Sequence, residues 1–125
     1  MIGENIYNYL VSLSDLLQLI NKRSIGYVDV AQDRGYPKLT FNLISAPILY
    51  QSDDQWQRWR FWIFAKDQFI VEDIANVLRT NFQRLQGDMG GQDMLYVTKI
   101  DETETVRSEE TYEKTLDFRF TFIGG

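Results

Sequence analysis

The stretch QWQRWRFWIFAKD, from Gln55 to Asp67, limits the possible folds of this chain more than any other feature. Polar and large apolar residues alternate at its start, which is typical of a β-strand with one face on a core. From Phe61 to Ala65 the alternation fails, and both faces of the strand are apolar. One face would carry Phe61, Ile63 and Ala65, and the other Trp62 and Phe64. The second apolar face needs a cover, and the nature of that cover bears on function.

Length and composition predict one soluble globular domain over residues 1–125. Apolar residues make up 44% of the chain and charged residues 25%, an ordinary balance for a domain that carries its own core. No apolar run is long enough for a transmembrane helix, and the N-terminus lacks the pattern of a secretory signal. We therefore expect no membrane partner, and the absence of cysteine fits assembly in a reducing cytoplasm.

Two segments have the periodicity of amphipathic helices. The first extends from Glu4 to Ile20 and places five large apolar residues on one stripe, namely Ile6, Leu10, Leu13, Leu17 and Ile20. The second begins after Asp67, a suitable N-cap, and ends before Gly87. The glycine-rich stretch GDMGG that follows is predicted to be a flexible connection.

Four segments have the pattern of strands. Residues 38–44 form the first, and the tryptophan strand follows as its antiparallel partner. DMLYVTKIDE and EKTLDFRFTFI come last, joined by an acidic turn, and the final strand alternates regularly with Leu116, Phe118, Phe120 and Phe122 on one face. The order α-β-β-α-β-β predicts an α+β fold, a two-layer sandwich with two amphipathic helices packed on a four-stranded, mostly antiparallel sheet.

The residue types argue against an enzyme. Cysteine and histidine are absent, which removes thiol nucleophiles, imidazole bases and the usual zinc ligands. Carboxylates occur in adjacent pairs, whose side chains diverge on both helices and strands, so none is placed to share a proton. The turn DETETVRSEE is the best metal candidate, but it lacks the central glycine and the spacing of a calcium loop. We expect no catalytic residue, cofactor or metal, and a metal-dependent enzyme stays an alternative.

Arg58 and Arg60 interleave with the tryptophans, a pattern that single-stranded nucleic-acid binders use for stacking and backbone contact. The net charge of −5 opposes this alternative, since phosphate binding normally needs a basic excess. The carboxylates nearest to these arginines are expected to be Asp53, Asp54 and Asp67, the closest in sequence.

A protein partner accounts better for the second apolar face. Trp62 and Phe64, together with Trp56, would form an apolar patch that a soluble monomer rarely leaves open. Burying each side chain is worth roughly 1.5–3 kcal/mol, whereas association costs on the order of 4–15 kcal/mol. Such a contact becomes firm only when neighbours or a template add surface. The competing explanation is that the loop of residues 25–36 folds back over this face.

Several segments appear in a characteristic order. An amphipathic N-terminal helix leads to GYPKLTFNLIS, a loop with aspartates precedes RWRFWIFAKD, and that strand continues into the helix FIVEDIANVLRTNF. The chain closes on KTLDFRFTFIGG. In this order the sequence resembles the bacteriophage tail terminator, or tail completion, proteins, which include tail-to-head joining proteins. The resemblance extends over nearly the whole chain, although its motifs are patterns of a fold and include no catalytic signature.

The resemblance implies a structural virion protein of the tail or neck. Such proteins form a hexameric ring on the last ring of the tail tube, end its polymerisation and join the tail to the head connector. The implied partners are other copies of the chain, the tail tube protein and the connector or neck protein, and DNA passes through the lumen without specific binding. A neck or head-completion adaptor on the portal side is the alternative within this class.

Two sets of residues follow as site predictions. Ring or partner contacts are assigned to Trp56, Arg58, Arg60, Trp62 and Phe64. Acidic side chains in the lumen would repel the phosphates of passing DNA, and the candidates are Asp53, Asp54, Asp101, Glu102, Glu104, Glu109 and Glu110.

Overall fold

The computed structural model describes residues 2–28, 35–46 and 54–123. Within these ranges the chain forms three α-helices and a seven-stranded sheet. The helices are α1 (Ile2–Leu10), α2 (Ser14–Leu17) and α3 (Gln68–Phe82). The strands are β1 (Ile25–Tyr27), β2 (Lys38–Ser45), β3 (Asp54–Ala65), β4 (Gly87–Met89), β5 (Gln92–Glu102), β6 (Val106–Ser108) and β7 (Thr111–Ile123).

The sheet is mixed and is curled into a half-barrel. Its strand order is β1-β2-β3-β7-β5-β4, with β6 paired to the beginning of β7. The β1–β2 pair is parallel, and the other pairs are antiparallel. Strands β3 and β7 form the centre and pair without interruption from Asp54 opposite Ile123 to Ala65 opposite Tyr112. Side chains of this long central pair point alternately to the two faces of the sheet, one covered by the helices and the other opposite them.

The predicted two-layer sandwich of four strands and two helices is therefore wrong. The additional strands β1, β4 and β6 have three residues each, too few to show an alternating pattern in the sequence. The stretch predicted as a flexible connection forms β4 and a tight turn into β5, where Gly90 and Gly91 adopt positive φ angles.

The single N-terminal helix predicted from Glu4 to Ile20 is also wrong. Helix α1 ends at Leu10, and α2 begins at Ser14 after Leu13 adopts an extended conformation (φ −84°, ψ 104°). The Ser12 hydroxyl donates a hydrogen bond to the Tyr9 carbonyl at 2.6 Å, a local bond that competes with a continuing helix. Because of the bend, Leu16 is buried and Leu17, a member of the predicted stripe, is exposed.

Other elements confirm the prediction. Strand β2 is antiparallel to β3, and the Asp67 carboxylate caps α3 by accepting a hydrogen bond from the Phe69 backbone N–H. The helix ends at Phe82, earlier than predicted, because Gln83 is extended (φ −62°, ψ 123°). The residues that follow run beside β5, where the Arg84 N–H donates to the Val97 carbonyl.

The helices cover one face of the sheet, and the core lies between them. Four rings at its centre, Phe61, Phe82, Phe118 and Phe120, have centroids 5.2–6.5 Å apart. The residues that the sequence assigns to the core face of β3 and β7 are all buried, which confirms the predicted alternation. None of the helices in the described ranges has the length and apolarity to span a membrane.

Candidate functional site

The candidate site is the sheet face opposite the helices, called here the open face. It is defined by alternate residues of the two central strands: Trp56, Arg58, Arg60, Trp62 and Phe64 of β3, and Asp117, Arg119 and Thr121 of β7. The five side chains from β3 are half-buried. The structure therefore brings together on one surface all five residues that the sequence assigns to a partner interface.

Asp117 is at the centre of the open face and is only 2% exposed. Its partner across the ladder is Arg60, and Arg58 reaches it diagonally. Arg58 donates to Oδ2 from Nε at 2.9 Å and from Nη2 at 2.5 Å. Arg60 donates from Nε to Oδ1 at 2.8 Å and from Nη2 to Oδ2 at 3.0 Å. One carboxylate thus fixes two guanidinium groups, each 32% exposed.

The ionisation of these groups follows from their contacts. Burial alone would raise the pKa of Asp117, but the hydrogen bonds from Arg60 and then Arg58 outweigh it and hold that pKa below its ordinary value. The hydrogen bond to Asp117 in turn raises the pKa of Arg60, against the opposing effect of burial. With two guanidinium groups on one carboxylate, the cluster has a formal net charge of one positive unit. The expected nearest carboxylates, Asp53, Asp54 and Asp67, are not those that bind the arginines.

The aromatic side chains of the open face lie beside cations. The Arg60 guanidinium is 5.6 Å from the ring centroid of Trp62, and that of Arg119 is 4.5 Å from the ring of Trp56. Both distances are within the range of cation–π attraction, which holds the indole rings in place. The second face is therefore a patch in which aromatic rings and fixed guanidinium groups alternate, rather than a purely apolar surface.

The loop proposed as a cover lies partly outside the described residues, which omit positions 29–34. Its first part is β1, which extends the edge of the sheet, and the Tyr27 ring packs against Trp59 on the helix-covered side. Tyr36 lies at one end of the open face, where the ammonium groups of Lys38 and Lys66 are 4.8 and 5.8 Å from its ring centroid. The described part of this loop therefore borders the open face without crossing its centre.

The acidic residues assigned to the lumen occupy different environments. Asp53 lies outside the described residues, and Asp54 begins β3. The exposed members are Asp101, Glu104, Glu109 and Glu110. Glu102 differs because it lies on the helix side, where it accepts hydrogen bonds from Arg79 at 2.8 and 2.9 Å and from Lys99 at 3.1 Å. These contacts, the one from Arg79 foremost, lower the pKa of Glu102 to about 2.

Sequence reasoning missed two ionic clusters. The Asp117 cluster could have been found by pairing the two central strands, since the Arg-x-Arg segment of β3 lies beside Asp117 of β7. The second cluster links Glu102 to Glu72 of α3 through Lys114, whose ammonium is 3.2 Å from Glu102 and 3.3 Å from Glu72. The sequence signal for this second cluster is Lys114, a charged residue on the otherwise apolar face of β7. Among the described residues, no group of three or more possible metal-binding side chains comes together.

No protein-family model and no curated protein sequence matches this chain. Solved structures do match. A chain from the virion of a native gene transfer agent particle has a TM-score of 0.74 and 10% identity, over 98% of this chain and 95% of that one. A second solved structure has a TM-score of 0.55 and 10% identity, over 99% of this chain and 93% of that one. At this identity the likeness is one of fold, and it shows that the whole chain shares the fold of a protein from that virion.

Proposed function

We propose that this protein is a structural, non-enzymatic virion protein that caps the tail tube as a ring, ends its polymerisation and joins the tail to the head connector. The observation that carries the proposal is the fold shared with a virion protein, because the structural match covers 98% of this chain and 95% of the virion chain. The tail-terminator role rests on the sequence resemblance, which implies a position in the tail or neck of the virion.

The open face suits a contact between ring subunits or with a virion partner. Arginine and tryptophan are enriched at the energetic centres of protein interfaces. Asp117 already fixes Arg58 and Arg60, so their side chains lose little conformational freedom when a partner binds. Trp56, Trp62 and Phe64 would supply the apolar area of this contact.

The acidic residues fit a lumen through which DNA passes without specific binding. Asp101, Glu104, Glu109 and Glu110 are exposed, and the exposed carboxylates would repel phosphates. Glu102 is less suited to this role than the sequence suggests, because Arg79, Lys99 and Lys114 neutralise it. The Asp117 contacts likewise weaken the nucleic-acid alternative, since they occupy the two arginines on which it depends.

Light scattering coupled to size exclusion tests the proposal. The mass is measured across protein concentration, alone, with the tail tube protein and with the connector protein of the same virion. We expect a species of six times the 14.8 kDa of the chain, either alone or once the tube protein is added. In electron micrographs, added protein should cap tube ends and halt their growth. Binding to the connector without binding to the tube would indicate a neck adaptor instead, and a monomer under every condition would refute the ring.

A further inference from the structure

The two outer edges of the sheet differ in how far other parts of the chain pair with them. On the β5 side, Val97 is bonded through both of its backbone groups, to the Arg84 N–H at 2.8 Å and to the Leu85 carbonyl at 3.1 Å. The Gln83 side-chain oxygen accepts a further bond from the Lys99 backbone N–H at 2.6 Å. Such coverage prevents an edge strand from pairing with another chain. The β5 edge is thus closed by the protein's own backbone and side chains.

The β2 side is left open over its second half. Strand β1 pairs only with residues 39–41, and the last bond of this ladder runs from the Val28 N–H to the Phe41 carbonyl at 2.8 Å. Val28 then has a φ of +69°, rare for a β-branched residue, so the strand pairing ends there. On the side away from β3, no described strand lies beside residues 43–45 of β2. Because backbone groups two residues apart point the same way, those of Leu43 face this open edge.

The composition of the open edge differs from that of a protected edge. Natural proteins guard bare edges with charged residues, prolines or bulges that turn the strand away. Residues 42–46 are Asn-Leu-Ile-Ser-Ala and carry neither charge nor proline, although a bulge follows Leu43. Leu43 is 40% exposed and the adjoining Val28 61% exposed. An uncharged apolar edge whose backbone groups have no partner among the described residues is suited to main-chain pairing with another strand.

We infer that the open edge of β2 pairs with β6 of a second copy, so that neighbouring subunits share one continuous sheet. This inference rests on the proposed ring. A ring needs a heterologous contact between two different patches of each subunit. Strand β6 pairs on one side with β7, no described strand lies on its other side, and its Val106 is 51% exposed. Both open segments are three residues long.

The positions of the two edges fit ring closure. The open part of β2 pairs with the first half of β3, around Arg58 and Trp59, whereas β6 pairs with the opposite end of the central strands, around Tyr112. The two edges therefore lie at diagonal corners of the sheet. Joining diagonal corners staggers successive subunits along the strand direction, which is the shear that a sheet needs to close into a barrel. Direct pairing of two β2 edges would instead give a closed two-fold dimer.

Crosslinking tests this contact directly, since the chain contains no native cysteine. Leu43→Cys and Arg107→Cys, whose side chains lie on the same face of the sheet, are prepared as separate variants and as a double variant, assembled with the tube protein and treated with a short bismaleimide. We expect a crosslinked dimer when the single variants are mixed, none from either alone, and a ladder up to six chains from the double variant. A dimer from Leu43→Cys alone would show isologous pairing and overturn the inference, as would the absence of any crosslink.

A charge placed at the edge gives a second test. Leu43→Lys should reduce ring formation at least tenfold, whereas Leu95→Lys, at a position of matching exposure (37% against 40%) on the closed edge, should behave as the wild type. If Leu43→Lys forms rings as the wild type does, the β2 edge is not the interface and the proposed function still stands. If the wild type forms no ring with the tube protein, the proposed function fails together with the inference. The crosslinks decide the question should Leu43→Lys fold poorly.

Discussion

Replacing Asp117 by asparagine should destabilise the protein strongly, although the side chain keeps its size and shape. The substitution removes the one carboxylate that neutralises Arg58 and Arg60. The two guanidinium groups are then left side by side on the central strand, and no other carboxylate of the described residues forms an ion pair with them. An amide oxygen can still accept a hydrogen bond, but it cannot replace a charged acceptor that receives four.

The magnitude follows from burial. Removing one partner of a fully buried ion pair costs about 3–5 kcal/mol. Asp117 is 2% exposed, but each arginine is 32% exposed and water can solvate part of its charge, so we reduce the expected loss to about 2–4 kcal/mol. Unfolding entropy of about 2.1 cal/mol/K per residue gives about 4 °C per kcal/mol for a chain of 125 residues. The melting temperature should therefore fall by roughly 8–15 °C.

The assay is thermal unfolding of the monomer followed by circular dichroism, with Asp101→Asn as the control. Asp101 lies opposite Asp117 in the ladder but is exposed; it accepts one hydrogen bond, from the Glu102 N–H, and attracts Arg60 without pairing with it, so its replacement should cost no more than about 1 kcal/mol. Because the pKa of Asp117 is lowered in the fold, its stabilisation is present above the unfolded pKa near 4 and is lost as pH falls through the folded value. The difference between wild type and variant should accordingly shrink in acid. Equal stability of Asp117→Asn and Asp101→Asn at neutral pH would refute the role given to this cluster.

Three further predictions concern other parts of the molecule. Glu102→Gln should lower the free energy of unfolding by about 1–3 kcal/mol at neutral pH. It should also weaken the dependence of that free energy on pH between the ordinary pKa of 4.5 and the folded value of about 2, as a pH titration of stability would show. Gly90→Ala should lower the free energy of unfolding in denaturant by more than about 2 kcal/mol. The φ angle of Gly90 is +56°, and the added carbon would lie 2.1 Å from a backbone oxygen of α1. Gly35→Ala is the control, because no atom lies within 4 Å of the carbon that it adds. Trp62→Asp with Phe64→Asp should leave the circular dichroism spectrum unchanged and abolish the ring in light scattering, whereas loss of folding would place both residues in the core.

The sequence predicts the elements whose signal is local. The N-cap at Asp67 and the alternation of β7 depend on neighbouring residues, and both were correct. The strands of three residues could not be predicted, because they exist only through the neighbour with which they pair. The first helix was mispredicted for a related reason. Steps of three and four along the stripe fit a continuous helix as well as two short ones, and the periodicity does not reveal the bend at Leu13, beside the hydrogen bond from Ser12 to the Tyr9 carbonyl.

On the open face, likewise, some features depend on neighbouring residues in the sequence and others on residues far apart in it. Alternation along β3 correctly separated Trp62 and Phe64 from the buried Phe61, since side-chain direction is a property of one strand. The electrostatic partner of the arginines could not be found in this way. Asp117 is 59 residues from Arg58 in the chain, and only the register of two distant strands brings them together.

Strand β7 neutralises charge on both faces of the sheet, and this limits what a partner can recognise. Asp117 binds two cations on the open face, and three residues earlier Lys114 binds two carboxylates on the helix side. The strongest charges near the centre of the sheet are thus satisfied within the chain, at geometry that a partner would have to disrupt in order to use them. For the proposed neighbour, the described residues offer aromatic surface on the open face and, along the β2 edge, backbone groups that have no described partner. Contacts of this kind depend on shape and register more than on long-range attraction, so a net charge of −5 is compatible both with the proposed association of copies and with the proposed repulsion of DNA by the exposed acidic residues.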